Sequence, residues 1–272
     1  MNARAGRALI AAIAALLAVV ACCGKFVADK VGRDREEARA AAEFAAAPVP
    51  EVVLATPSAP PALLQLPAYT PDHIANGDFW PRACSLLALD DIRAVLPEAD
   101  LLTPAGGPPE TIKFITSEYH PPEPWEEHGS TNVVETQVID VPEPWCDFTF
   151  WLPHKSPHDG KEPIATVTVH VHAAGDPTVV WGFAFGGYLD MSEADVAFAK
   201  AHGARACKEA FRHWTCTRGP LTVEVRSSLW TEIDHELWVR MPGQPVLASD
   251  GSQRFESAVN SVFMALLLAK IP

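Results

Sequence analysis

Positive charge is scarce in this chain. Its 272 residues hold 21 Lys and Arg against 34 Asp and Glu, a formal net charge of −13 at pH 7. Residues 1–47 carry a net +2, so the rest of the chain carries −15. An exterior this acidic does not neutralise phosphates, which excludes nucleic acid as a partner and excludes adhesion to anionic lipid beyond any anchor. Acidity of this kind serves solubility. Catalytic signatures are also lacking. There is no Gly-x-Ser-x-Gly elbow to expose a serine nucleophile. Gly182-Phe183-Ala184-Phe185-Gly186-Gly187 is too apolar, and wrongly spaced, to cradle a phosphate. The closely spaced cysteine pairs of a structural zinc site are missing. Glu118, Glu123, Glu126, Glu127, Glu135 and Asp140 are plentiful carboxylates, but their spacing sets no two of them at a glycosidase separation, and they read as a solvated loop. No cofactor is implied.

What is present starts at the N-terminus. Arg4 and Arg7 precede an apolar run from Ala8 to Ala21 that closes in Val19-Val20-Ala21-Cys22-Cys23-Gly24-Lys25. A basic head followed by an apolar stretch is an export signal, so residues 1–27 read as a signal or membrane anchor. The rest then lies on the outer, extracytoplasmic face of the cell membrane. Val19-Val20-Ala21-Cys22 fits a lipobox, which makes Cys22 the lipidation candidate. The rival is an uncleaved helix over the 17 residues from Ala8 to Gly24, at the short limit for spanning, with Arg4 and Arg7 inside. A cleaved, freely secreted form is the third reading.

Residues 28–47 are Ala-, Glu- and Arg-rich and read as a helical extension. Seven prolines in residues 48–71 predict an extended spacer, a Pro-rich stalk over 48–78. Residues 79–272 have globular composition, enough for one domain with its own core. Ser85–Leu96 has an amphipathic helical pattern. Residues 104–130 read as loop interrupted by a strand at Thr111–Ser117. Thr131–Val141, Cys146–Leu152, Val179–Phe185 and Glu236–Met241 read as strands. Ala165–Ala173 alternates most clearly, with Val167, Val169 and Val171 on one face and Thr166, Thr168, His170 and His172 on the other. Ser192-x-x-Asp195 opens a helix as a capping box. His213–Thr217 and Leu221–Ser227 form a hairpin around Arg218-Gly219-Pro220. Phe255, Val259, Val262, Phe263, Leu266 and Leu267 make the buried stripe of a final helix from about Gly251 to Lys270. This order predicts an α+β domain, an antiparallel sheet with a few helices on one face, preceded by an N-terminal membrane helix or signal segment.

Cys84, Cys146, Cys207 and Cys216 lie in the exported part, where thiols oxidise and four cysteines allow three pairings. The nearness of Cys207 to Cys216 suits a local bridge from the end of a helical region to the following hairpin, leaving Cys84 with Cys146. Oxidised cysteines supply no thiolate nucleophile.

Ala83-Cys84-Ser85-Leu86-Leu87, then an acidic pair in a short amphipathic helix, then Trp145-Cys146-Asp147-Phe148, resembles exported actinobacterial lipoproteins of unknown function with a CSLL-type signature, akin to extracytoplasmic sensor domains of envelope kinases. The likeness covers about residues 80–175. Ala88 stands where that pattern has a helix-capping Thr, Phe148 where Trp is common, and the Pro-rich stretch at 104–130 is long. The resemblance implies an anchored, disulfide-bonded α+β module and carries no catalytic residues.

His170 and His172 point the same way from one strand, which suits two metal ligands, with His154, His158 or Glu118 as candidates for a third. The plainer reading of that face is a solvated strand surface. Eight tryptophans are present, and Trp125, in a polar Pro-rich loop, is the binding candidate. Pro-Glu-Pro-Trp occurs at 122–125 and again at 142–145, read as Pro-rich loops entering strands. The expected function is a membrane-anchored extracytoplasmic binding or sensor module, non-catalytic. Its partners are the membrane, through the anchor, and an envelope protein or a small ligand. The alternatives are an envelope-polymer hydrolase, metal-dependent and centred on His170 and His172, and a structural accessory subunit of a membrane complex.

Overall fold

The computed structural model describes residues 30, 32–36, 38–39, 42–43, 46–48, 50–57, 61–101, 104–121, 127–153, 165–180, 191–229, 238–243 and 252–272. Contacts divide the chain into two units, Met1–Pro48 and Val49–Pro272. In the first, the described residues between 30 and 46 are helical, and Arg39 pairs with Glu43 one turn on at 2.8 Å. No helix among the described residues is long and apolar enough to cross a membrane. Residues 1–27, and Cys22 with them, lie outside the described residues.

The second unit is a mixture of helix and antiparallel sheet, an α+β arrangement. Its strands are β1 (Glu51–Val53), β2 (Asp100–Leu101), β3 (Ala105–Gly106), β4 (Glu110–His120), β5 (Ser130–Val141), β6 (Trp145–Trp151), β7 (Ala165–Ala174), β8 (Ala206–Ala210), β9 (His213–Arg218), β10 (Leu221–Leu229) and β11 (Trp238–Arg240). Its helices are α1 (Leu89–Val95), α2 (Glu193–Ala201) and α3 (Ser252–Lys270). The main sheet runs β2-β6-β7-β10-β9-β8, with β3 also paired to β6, and every pairing in it is antiparallel. β4 and β5 form a separate two-stranded ribbon, and β1 pairs in parallel with β11.

The period-two pattern sorts the sheet's two faces. Val167, Val169 and Val171 of β7, Cys146, Phe148 and Phe150 of β6, and Val223 and Val225 of β10 are all buried on one side. α3 contacts β9 and β10 and buries Phe255, Val259, Phe263 and Leu267. Each such side chain contributes about 1.5–3 kcal/mol on burial. The buried arc of α3 is wider than the sequence stripe: Met264 and Leu268 are inside it, Ile271 just past the helix is buried as well, and Val262 is only half buried.

Both disulfides are formed, Cys84–Cys146 with Cα atoms 5.0 Å apart and Cys207–Cys216 with Cα atoms 4.1 Å apart. Cys207 sits on β8, directly opposite Cys216 on β9, and not at a helix end. The capping box forms at α2: Asp195 N–H donates to Ser192 Oγ at 3.1 Å and Ser192 N–H donates to Asp195 Oδ2 at 2.8 Å. At α1, Ala88 has no side-chain acceptor, so only the reciprocal half remains, its N–H donating to Asp91 Oδ2 at 2.5 Å.

Several expectations need correction. The stretch read as a stalk, 48–78, is in part built into the domain: Val52 and Leu54 are buried, and Leu64 N–H donates to the Lys270 carbonyl at 2.8 Å. The apolar residues between the prolines find the core, and a three-residue strand flanked by Pro50 and Pro57 loses no ladder bond to proline. The stretch 104–130, read mostly as loop, holds an 11-residue strand, β4, paired along its length with β5. α1 is shorter than Ser85–Leu96, because Ala83–Ser85 forms a separate tight turn of 3₁₀ helix. Val179 and Val180 lie in a helical turn, not a strand. Asp176 accepts from Thr178 N–H at 2.8 Å, and Pro177 occupies the first helical position, where its missing N–H costs nothing. Residues 181–185 of that expected strand lie outside the described residues.

Candidate functional site

Strand pairing brings nine side chains into a three-by-three lattice on the polar face of β6, β7 and β10. One row is Trp145, His170 and Glu224; the next is Asp147, Thr168 and Arg226; the third is Thr149, Thr166 and Ser228. Neighbours across strands stand about 4.8 Å apart and successive rows about 7 Å apart, giving a floor of about 10 by 14 Å. The nine line a groove of about 440 Å³. That volume is in the range of small-molecule sites.

The aromatic corner is held from two sides. The Trp145 indole N–H donates to Glu110 Oε1 at 3.0 Å. Its ring lies against Gly107, where a Cβ would come within 2.3 Å of the indole. Glu110 begins β4, so the ribbon positions this side of the groove. In the middle row, Thr168 Oγ1 donates to Asp147 Oδ1 at 2.6 Å. Arg226 is exposed and has no ion-pair partner among the described residues.

His170 and His172 share the face that the sequence assigned them, their rings 4.1 Å apart. The register between β7 and β10 shifts at Thr222/Val223, which leaves His172 as an extra residue and turns it diagonally onto Glu224. His172 Nε2 and Glu224 Oε2 are 2.9 Å apart. His170 Nε2 is buried and has no hydrogen-bond partner among the described residues. Burial, and then the charge of His172, push the His170 imidazole down to about 4, against the weaker pull of Glu224 and Glu110, so it is neutral at pH 7. Burial alone would raise Glu224, but the hydrogen bond from His172 and the surrounding imidazoles hold it below the usual carboxylate range.

This face is therefore more enclosed than a plain solvated strand surface. No group of three or more His, Cys, Asp or Glu suited to hold a metal ion is found among the described residues. His154 and His158, and the binding candidate Trp125, lie outside the described residues, as does the first Pro-Glu-Pro-Trp. Glu118 pairs with Asn132 through the backbone, on the ribbon. The second Pro-Glu-Pro-Trp is a structural corner: Glu143 accepts from the N–H of Ala83 and of Cys84, at 3.2 and 3.1 Å, beside the first disulfide.

The sequence alone does not single out Asp147, Glu224, Arg226 and Trp145 as a site. Alternation puts Glu224 between buried Val223 and Val225, Arg226 between buried Val225 and Ser227, and Asp147 between buried Cys146 and Phe148, so each strand announces a polar face. It does not announce which polar faces adjoin. Chemically, the groove offers four hydroxyls, two carboxylates, a guanidinium, a neutral imidazole and an indole. Among the described residues, neither imidazole is hydrogen-bonded to a hydroxyl or thiol. No protein-family model matches this chain, and no curated protein and no solved structure matches it.

Proposed function

We propose that the protein is a membrane-anchored, extracytoplasmic binding or sensor module of the cell envelope, without catalysis, whose ligand sits on the polar lattice of β6, β7 and β10. The observation that carries this reading is the groove itself, in which nine side chains converge beside the fixed indole of Trp145. A concave site that brings a few polar groups together beside an aromatic wall is the usual form of a small-molecule site. Two disulfides suit an oxidising compartment, in line with the export signal. The anchor is acylated Cys22 or an uncleaved helix over Ala8–Gly24.

Hydrogen exchange on the full-length protein, with and without the low-molecular-mass fraction of its native envelope, tests the binding surface. Protection of β6, β7 and β10 that disappears in His170→Gln is the expected result. Protection elsewhere, or chemical turnover of the bound material, counts against the reading. The location has its own check: protease added to intact cells should reach the exported domain, and Cys22→Ala should remove a lipid mass and membrane retention if acylation is the anchor.

A second reading, docking to an envelope protein, rests on the β4–β5 ribbon. Ile115 and Val138 are large, apolar and exposed, and the register sets them diagonally on its outward face, opposite buried Phe114 and Ile139. Ile115→Lys with Val138→Lys should leave the fold intact and abolish co-purification of such a partner.

A further inference from the structure

We propose that the lattice takes a neutral saccharide, one or two pyranose rings laid over Thr168 with an edge against Trp145; this rests on the reading of the polar face as the binding surface. Each class of ligand can be weighed against the groups in place. Among the described residues, anions meet Glu110, Asp147 and Glu224 with Arg226 to oppose them, on a domain that is already strongly acidic. A simple cation meets carboxylates that are already engaged, Glu224 by His172 and Asp147 by Thr168, and it meets Arg226 in the same row as Asp147. An apolar ligand would strip water from the threonines, Ser228 and the guanidinium and return no hydrogen bonds.

A neutral polyhydroxylated ligand fits where these fail. Hydroxyls both donate and accept, so they match the mixed set of threonine hydroxyls, carboxylate acceptors and guanidinium donors. The shape agrees: three neighbouring strands, three side chains deep, make a floor wide enough for a ring or two. Trp145 supplies an apolar wall for the C–H edges of a sugar, already locked by Glu110 and Gly107 before any ligand arrives. A wall fixed in advance loses no side-chain entropy on binding.

The test is calorimetric titration of the full-length protein in detergent with four probes: cellobiose, N,N′-diacetylchitobiose, glycine and inorganic phosphate. At least one of the two disaccharides should bind saturably, and Thr168→Val and Asp147→Asn should each weaken it 10-fold or more with melting temperature retained. Leu63→Ser, an exposed position beside the C-terminal end of α3, should leave the affinity unchanged. Binding of phosphate or glycine in place of both disaccharides, lost in the same variants, overturns the saccharide assignment while the binding surface stands. Saccharide binding indifferent to Thr168→Val and Asp147→Asn overturns the site. No binding by either disaccharide at millimolar concentration overturns the proposal, while protection of the lattice by the envelope fraction would still support the broader reading. Reducing ends released from the bound disaccharide overturn the non-catalytic reading.

Discussion

Lys270, in the last turn of α3, forms a buried ion pair with Asp91 in the first turn of α1, across 179 residues of sequence. The same ammonium donates to the Leu86 carbonyl at 3.2 Å, and the same carboxylate accepts from the Ala88 N–H. One pair thereby fastens the C-terminus of the chain to the segment that carries Cys84. The two partners are not equivalent. Removing Asp91 strands a buried ammonium, whereas removing Lys270 leaves a carboxylate still held by a backbone N–H. Breaking a buried pair from one side typically costs about 3–5 kcal/mol. Asp91→Ala should fall in that range, and Lys270→Met should cost clearly less, as read from urea unfolding at pH 7. Equal costs would show that the pair does not act in this way.

His170 makes stability depend on pH. Its imidazole is pushed down to about 4 from an ordinary 6.5, so between those values the unfolded chain takes up a proton that the folded one refuses. Stability therefore falls as pH drops through that window. Allowing for solvent screening, the loss due to this group should be about 2 kcal/mol. Glu224, held below its usual range, adds a loss of the same sign at the acid end. Denaturation curves at pH 7 and pH 4.5 should show a smaller pH-dependent loss for His170→Gln than for the unmodified protein. An identical slope in both would remove His170 as the cause.

The two disulfides should differ in weight. Cys84–Cys146 spans 62 residues of sequence and Cys207–Cys216 only 9. Chain entropy gives about 4 kcal/mol for the first and about 2.5 kcal/mol for the second. Paired serine substitutions, compared by chemical denaturation under oxidising conditions, should rank in that order. Peptide mapping without reductant should recover the two pairings as stated, and cross-paired peptides would contradict them.

Phe211 sits with φ at 49° and Arg212 with φ at 70°, in the two-residue turn between β8 and β9. Such a turn favours Asn and Gly, and here it carries a bulky aromatic that is 95% exposed. Arg212 is anchored, its guanidinium on Glu256 at 3.1 Å and its carbonyl accepting from Asn260. Phe211→Asn relieves the left-handed strain and removes no packing, so it should stabilise by about 1 kcal/mol. A loss of stability on thermal unfolding would mean that Phe211 makes contacts the fold needs.

Gly107 should tolerate no side chain. A Cβ there would meet the Trp145 indole at 2.3 Å, and the indole has little room to yield because Glu110 holds its N–H. Gly107→Ala should cost about 1–3 kcal/mol. It should also change near-ultraviolet circular dichroism as Trp145 moves. Unchanged spectra and stability would show the corner to be loose.

Much of this fold is local chemistry and can be read along the chain. The alternation of Ala165–Ala173 placed Val167, Val169 and Val171 inward because side-chain direction on a strand depends only on parity. Ser192 and Asp195 cap α2 because three residues separate them, and the spacing of four cysteines foresaw both bridges. Where the reading went astray, distant partners decided the outcome. Val52 and Leu54 lie among prolines that predict a spacer, yet β11, nearly 190 residues later, gives them a strand to join. β4 exceeds its predicted length because β5 pairs with it throughout. The groove shows the division most plainly. Sequence determined that Asp147, Thr168 and Arg226 each point from the polar side of a strand. Only the tertiary structure decided that they share one row, since strand order and register arise from pairing between segments far apart in the chain, and side-chain periodicity within a segment carries no record of its neighbours.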